Sequence, residues 1–198
     1  MILHVYEAAK KSNAGEVYVA TPDKAIFELV SNYGGKAVLS SETHNTGTDR
    51  IFEVFKNTLK SLPNIIVNLQ GDMPNIEPKI IKNLINYMQQ GKCEVGTLAS
   101  EIKNNFELED ENIVKVLVKE KLKEGIFSEA LDFLRVNPGK DYKTYHHVGI
   151  YAFTSIALTK YVSLKRSKLE LNRKLEQLRA MENGMSIHVG YILSLIHI

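Results

Sequence analysis

The sequence predicts an α/β fold with a mainly parallel, mixed sheet covered by helices on both faces. Three observations predict it. Short β-rich segments alternate with amphipathic helical ones. The connections between them are short. One segment, Ile65-Ile66-Val67-Asn68-Leu69, is almost wholly apolar and β-branched, the pattern of a strand buried on both sides. In such sheets ligands bind beyond the carboxyl ends of the strands, so the loops after Thr21, Ser40 and Leu69 draw attention.

Each element has its own signal. Ile2, Val5, Tyr6 and Ala9 recur at helical spacing, and residues 2–12 read as an amphipathic helix. Opening on a helix is unusual for a doubly wound fold, so either the fold is atypical or a first strand and the loop after it are missing. Residues 16–21 (EVYVAT) read as a strand. Pro22 then suits a first helical position, and Ala25, Ile26, Leu29 and Val30 supply the apolar stripe before Gly34-Gly35 ends the helix. Residues 36–40 read as a strand. A helix follows Thr48-Asp49, carrying Ile51, Phe52, Val54, Phe55 and Leu59. After the apolar strand, Pro78 opens a helix to Met88. Residues 94–100, 113–118 and 148–153 read as strands, and residues 156–162 and 169–181 as helices. There is no internal repeat or linker, so residues 1–192 read as one domain.

Composition removes several function classes. The chain has 198 residues, with 25 basic and 23 acidic side chains and a net charge of +2. That balance gives no footprint for nucleic acid or a membrane surface. No apolar run approaches the roughly 20 residues of a membrane span. The single cysteine, Cys93, allows no internal disulfide, and no Cys/His spacing suits zinc. A reducing cytoplasm is the expected compartment.

Four motifs can carry chemistry. Gln70-Gly71-Asp72-Met73-Pro74 follows the apolar strand, which delivers the Asp72 carboxylate to the ligand edge, where it can hold Mg²⁺ against phosphates. The plain alternative is a turn whose Asp bonds its own backbone. Thr46-Gly47-Thr48-Asp49-Arg50 opens a helix, whose free N–H groups suit an anion or a base edge, and Arg50 adds a planar donor fork. An ordinary N-cap explains the same residues. His44 just upstream reads as a solvated loop residue. In Leu175-Glu176-Gln177-Leu178-Arg179 the leucines are the buried stripe, and Glu176 and Gln177 project sideways, either onto a polyol or into solvent. In Tyr145-His146-His147-Val148-Gly149-Ile150-Tyr151 the adjacent histidines point to opposite faces, so at most one enters a site.

Taken in this order, the four motifs resemble those of 3-deoxy-manno-octulosonate (Kdo) cytidylyltransferases, along nearly the whole chain. The likeness includes the opening MILHVYE, Val19-Ala20-Thr21, Gly34-Gly35, TGTDR, IVNLQGDMP, HVGIYAF and LEQLRAMENG. The resemblance implies a Rossmann-like nucleotidyltransferase fold in a homodimer. It also implies the reaction of CTP with Kdo to CMP-Kdo and pyrophosphate, using Mg²⁺, for lipopolysaccharide biosynthesis. Carried over by position, it implies that Asp72 binds the metal with Gln70 beside it near the sugar. Thr48, Asp49 and Arg50 lie by the nucleotide, and His147, Glu176 and Gln177 hold Kdo.

The chain departs from the family in places. Met73 replaces the usual Glu, Phe127-Ser128-Glu129 stands where members carry Phe-Ser-Arg, and Arg173 stands where they tend to have Glu. The family's first strand with its triphosphate-gripping loop, and its tail bearing a second metal-binding Asp, are expected to be missing at the two ends. Leu193 to Ile198 does not continue the family pattern and reads as a non-native tail of sequencing-adapter type. A sialate-type cytidylyltransferase and a noncatalytic nucleotide-binding or dimerisation module are the competing readings.

Overall fold

A computed structural model describes residues 1–59, 63–139 and 142–193. The expected non-native tail lies outside the described residues, except for Leu193. Helix α1 (Ile2–Lys11) leads into strand β1 (Val19–Thr21), α2 (Lys24–Asn32) and β2 (Ala37–Leu39). The next pair is α3 (Gly47–Thr58) and β3 (Ile65–Asn68), then α4 (Pro78–Met88) and β4 (Val95–Ser100). After α5 (Asn105–Glu109) come β5 (Lys115–Val118), β6 (Phe127–Leu134) and the long β7 (Thr144–Thr154). The chain closes with α6 (Ser155–Ser163), α7 (Lys168–Arg173), α8 (Gln177–Glu182) and β8 (Ile187–Tyr191).

Local chemistry fixes the helix starts. The Asp23 carboxylate accepts from the Ala25 and Ile26 amides and caps α2, so Pro22 precedes the cap and is not the first helical residue. Thr46 caps α3 by accepting from the Asp49 amide. Pro78 sits in the first turn of α4, where its missing N–H costs nothing. Ser167 and Glu170 form a reciprocal capping box on α7.

One prediction fails here. Residues 169–181 form two short helices, not one. Lys174 adopts a left-handed conformation (φ 54°, ψ 46°) between α7 and α8. The leucine stripe hid the break, because Leu169 before it and Leu175 and Leu178 after it pack on the same core, while Leu171 is exposed.

The six-stranded sheet has the order β3-β7-β4-β8-β6-β5. Strands β3, β4, β8 and β5 share one direction, and β7 and β6 run against them. Most neighbouring pairs are therefore antiparallel, although most strands point the same way. The cause is β7, which inserts between β3 and β4 and is antiparallel to both. Strand β5 also pairs with the start of β7, so pairings run in a closed circuit from β7 through β4, β8, β6 and β5 back to β7. Strands β1 and β2 form a separate parallel pair.

Alternation along β4 and β7 builds a core on each face. Val95, Ala99, Tyr151 and Phe153 face α3, α6 and α8, packing with Phe55, Leu158, Tyr161 and Leu178. Leu98, Val148, Ile150 and Ala152 face α1 and α4, packing with Ala8, Ile80, Leu84 and Met88. A third, small cluster of Tyr6, Val19 and Val30 holds β1. Strands β6 and β8 meet where Gly190 admits the Phe127 ring; a Cβ there would lie 2.4 Å from it.

Candidate active site

The first turn of α3 is tied down from several sides. The Thr46 hydroxyl donates to the Asp49 carboxylate at 2.9 Å and accepts from the Asp49 amide at 3.2 Å. Thr48 is 1% exposed, and its hydroxyl accepts from Asn68 Nδ2 at 3.2 Å, at the end of β3. Asp49 meets the Arg179 guanidinium of α8 at 3.4 Å.

Arg179 is the centre of a buried network. Its Nε and Nη2 donate to both Glu170 oxygens, at 2.8 and 2.7 Å. Its guanidinium also stacks 4.5 Å above the Tyr161 ring. Burial alone would raise the Glu170 carboxyl pKa; the hydrogen bonds from Arg179 and Arg166 outweigh it and hold the value lowered. Such a pair is satisfied as a unit and costly to break singly.

Glu176 stands directly before α8. The Tyr161 hydroxyl donates to its carbonyl at 3.0 Å, which pins the backbone there. One carboxyl oxygen, Oε2, is buried without a hydrogen-bond partner. Burial raises its pKa, and hydrogen bonding from Thr46 and Thr48 offsets this in part. Glu176, Gln177, Thr48, Tyr151 and Tyr161 line one narrow cavity against the sheet. An unsatisfied buried acceptor is costly unless an incoming donor pairs with it.

His147 lies on the same sheet face, 8% exposed. Its ring meets Phe133 edge-on at 5.0 Å and Tyr151 at 5.4 Å. Burial, and then neighbouring His146, push its pKa down to about 3. Its Nε2 lies 2.9 Å from the Thr97 hydroxyl.

Gln70, directly after β3, joins two of the motifs. A side chain at Gly47 would meet its amide at 3.6 Å, and one at Gly149 would meet its Cγ at 3.9 Å. The QGD turn therefore sits between the start of α3 and β7. Asp72 is exposed in that turn and makes no salt bridge among the described residues. It is not drawn into the core.

Thr48, Asp49, Glu176 and Gln177 thus come together, His147 reaches them through Tyr151, and Gln70 borders the same start of α3. Arg50 is turned elsewhere, donating to Ser40 Oγ at 2.5 Å and the Ser41 carbonyl at 3.0 Å. His44 is not free in a loop but pairs with Glu53. The departures from the family pattern have local partners: Glu129 faces Lys119 at 3.6 Å, and Arg173 binds Asp132 at 2.7 Å. A larger surface hollow of about 280 Å³, between Glu101, Lys121, Lys143 and Tyr145, contains none of the candidate site residues. Sequence reading did not single out Tyr151, Tyr161, Asn68 or Glu170 as site residues. Tyr151 had a usable signal, because it stands four residues after His147 and so shares its face.

The cytidylyltransferase family profile matches residues 1–187. A 3-deoxy-manno-octulosonate cytidylyltransferase from Bartonella tribocorum is 39% identical over 194 residues, covering 97% of this chain and 79% of the relative. One from Thermodesulfovibrio yellowstonii is 40% identical over 201 residues, covering 96% and 79%. A solved CMP:2-keto-3-deoxy-manno-octonic acid synthetase complexed with CTP superposes with a TM-score of 0.86 at 34% identity, covering 98% of this chain and 79% of that one. A 4-diphosphocytidyl-2C-methyl-D-erythritol synthase from Anaerococcus prevotii shares the fold, with a TM-score of 0.60 at 17% identity. With Thr48, Glu176 and Gln177 lining one cavity, and with these relatives alike along nearly its whole length, the chain belongs to the cytidylyltransferase family, among the 3-deoxy-manno-octulosonate cytidylyltransferases.

Proposed function

We propose that the chain transfers the CMP group of CTP to the anomeric hydroxyl of Kdo, releasing pyrophosphate. The hydroxyl oxygen forms a bond to the α-phosphorus and gives up its proton to water, while the bond to the departing pyrophosphate oxygen breaks. The observation that carries this reading is the buried, unpartnered Glu176 Oε2, set beside Gln177 and against the start of α3. A polyol hydroxyl is the donor that such an acceptor lacks. Glu176, Gln177 and His147 hold the sugar. Thr48 and Asp49 face the nucleotide through the first turn of α3, and Arg50 stabilises the loop that leads into it.

Among the described residues no three His, Cys, Asp or Glu side chains gather as a complete metal site. The exposed Asp72 carboxylate nevertheless fits Mg²⁺, which usually takes one or two carboxylates and completes its shell with phosphate oxygens and water. When bound, the ion supplies charge neutralisation at the phosphates. Gln70, beside Asp72, orients the sugar. The active form is proposed to be a cytoplasmic homodimer.

The test is pyrophosphate release measured with CTP, Kdo and Mg²⁺, each omitted in turn, with sialate as the competing sugar. Release that needs all three supports the reading. Preference for sialate would replace the sugar, and CTP binding with no release from either sugar would favour a nucleotide-binding module. Asp72→Asn is expected to lower the rate at least about 100-fold through lost charge stabilisation. A near-normal rate would remove Asp72 from this role.

A further inference from the structure

Thr97 is fully buried in β4, opposite an irregularity in β7. Thr97 pairs with Tyr151 and Leu98 with Val148, so Gly149 and Ile150 are extra residues in β7. The Thr97 hydroxyl lies 2.7 Å from the Ile150 carbonyl and 2.9 Å from His147 Nε2. A hydroxyl has one proton. A carbonyl oxygen can only accept, so at 2.7 Å that proton belongs on the line to Ile150. The hydroxyl then has only lone pairs to offer His147, and Nε2 must carry the ring's proton. The ring's other nitrogen, Nδ1, keeps the lone pair.

We infer that Thr97 is a positioning residue that fixes His147 as the Nε2–H tautomer, so that the ring meets the sugar as an acceptor through Nδ1. The bulge supplies the cause, because it leaves the Ile150 carbonyl where the Thr97 hydroxyl takes it up. The ring stays neutral through the physiological range, with its pKa at about 3, so the tautomer alone decides what it can accept or donate. The choice of a sugar hydroxyl as the partner of Nδ1 rests on the proposed function; the tautomer itself does not.

The test is nitrogen NMR on the full chain with ¹⁵N-labelled histidine, the His147 signals being assigned by their loss in His147→Gln. The expected pattern is a protonated, pyrrole-type Nε2 and an unprotonated, pyridine-type Nδ1. The reverse pattern overturns the inference, and this spectrum of the unaltered chain decides even if a variant fails to fold. Thr97→Val removes the acceptor and is expected to give a mixture of tautomers, whereas Thr97→Ser restores the original pattern. A Thr97→Val spectrum identical to that of the unaltered chain also overturns it. Calorimetric titration with Kdo separates the two readings. Affinity weakened about 10-fold in Thr97→Val and rescued in Thr97→Ser supports both, being the worth of one hydrogen bond. A changed tautomer with unchanged Kdo affinity upholds the control by Thr97 and removes His147 from the sugar.

Discussion

His147 and Glu176 show opposite outcomes of the same burial. Desolvation disfavours the charged form of each, so the imidazole stays neutral while the carboxyl pKa rises. For His147 the sign of the pH effect follows directly. In the unfolded chain the ring protonates near its ordinary value of 6.5, but in the fold it resists protonation down to about 3. Between those values the unfolded state binds the extra proton, so stability falls as pH drops through that window. The slope attributable to this residue approaches about 1.4 kcal/mol per pH unit. Urea unfolding from pH 7 to 4 should therefore show a steeper loss for the unaltered chain than for His147→Gln. Parallel curves would mean that the ring protonates in the folded state. Glu176 titrates in both proteins and cancels in the comparison.

At the scale of elements, the joint between α7 and α8 sets the direction of Glu176 and Gln177. Lys174 turns the chain there with a positive φ, a conformation costing a residue with a Cβ roughly 1–2 kcal/mol. Lys174→Gly is expected to raise stability by about 1 kcal/mol after glycine's own entropy is counted. The urea midpoint checks this, and no gain would show that the turn stores no strain. Nothing in Asn172-Arg173-Lys174 announces the break, which tertiary contacts impose: Glu170 is held from below by Arg179 and Arg166. The same limit explains what else sequence reading missed. Strand β6 alternates Ser128, Glu129, Ala130 and Asp132 with too few β-formers, and β8 contains His188 and Gly190. Strand β6 completes a hairpin with the preceding β5, and β8 takes its partners β4 and β6 from far away in sequence. Segments with strong local signals, such as the Pro78–Met88 helix, were legible to the residue. The four candidate motifs were legible, but the Arg179 network that joins Asp49 to Glu170 was not, because ion pairs across nine and 130 residues leave no local pattern.

Taken as a whole, the molecule is unevenly secured. The closed circuit of β7, β4, β8, β6 and β5 surrounds a large apolar core, and every residue of β4 is buried. The β1–β2 pair has three residues per strand and rests on a cluster of three buried side chains. Among the described residues, β1 pairs only with β2, and β3 only with β7. Hydrogen exchange should therefore be roughly 100-fold faster in Val19–Thr21 than in Val95–Ser100, because opening free energies follow buried contacts. Equal protection would show that the small unit opens only together with the large sheet.

The Arg179 guanidinium reaches from Glu170 in α7 to Asp49 in the first turn of α3. It acts as a common moorings post for two banks of one channel. If either guest steadies its bank, the opposite bank loses freedom as well, and the second arrival has less motion left to quench. Under the proposed function, binding of nucleotide and of sugar is then expected to be cooperative even before the two come into reacting contact.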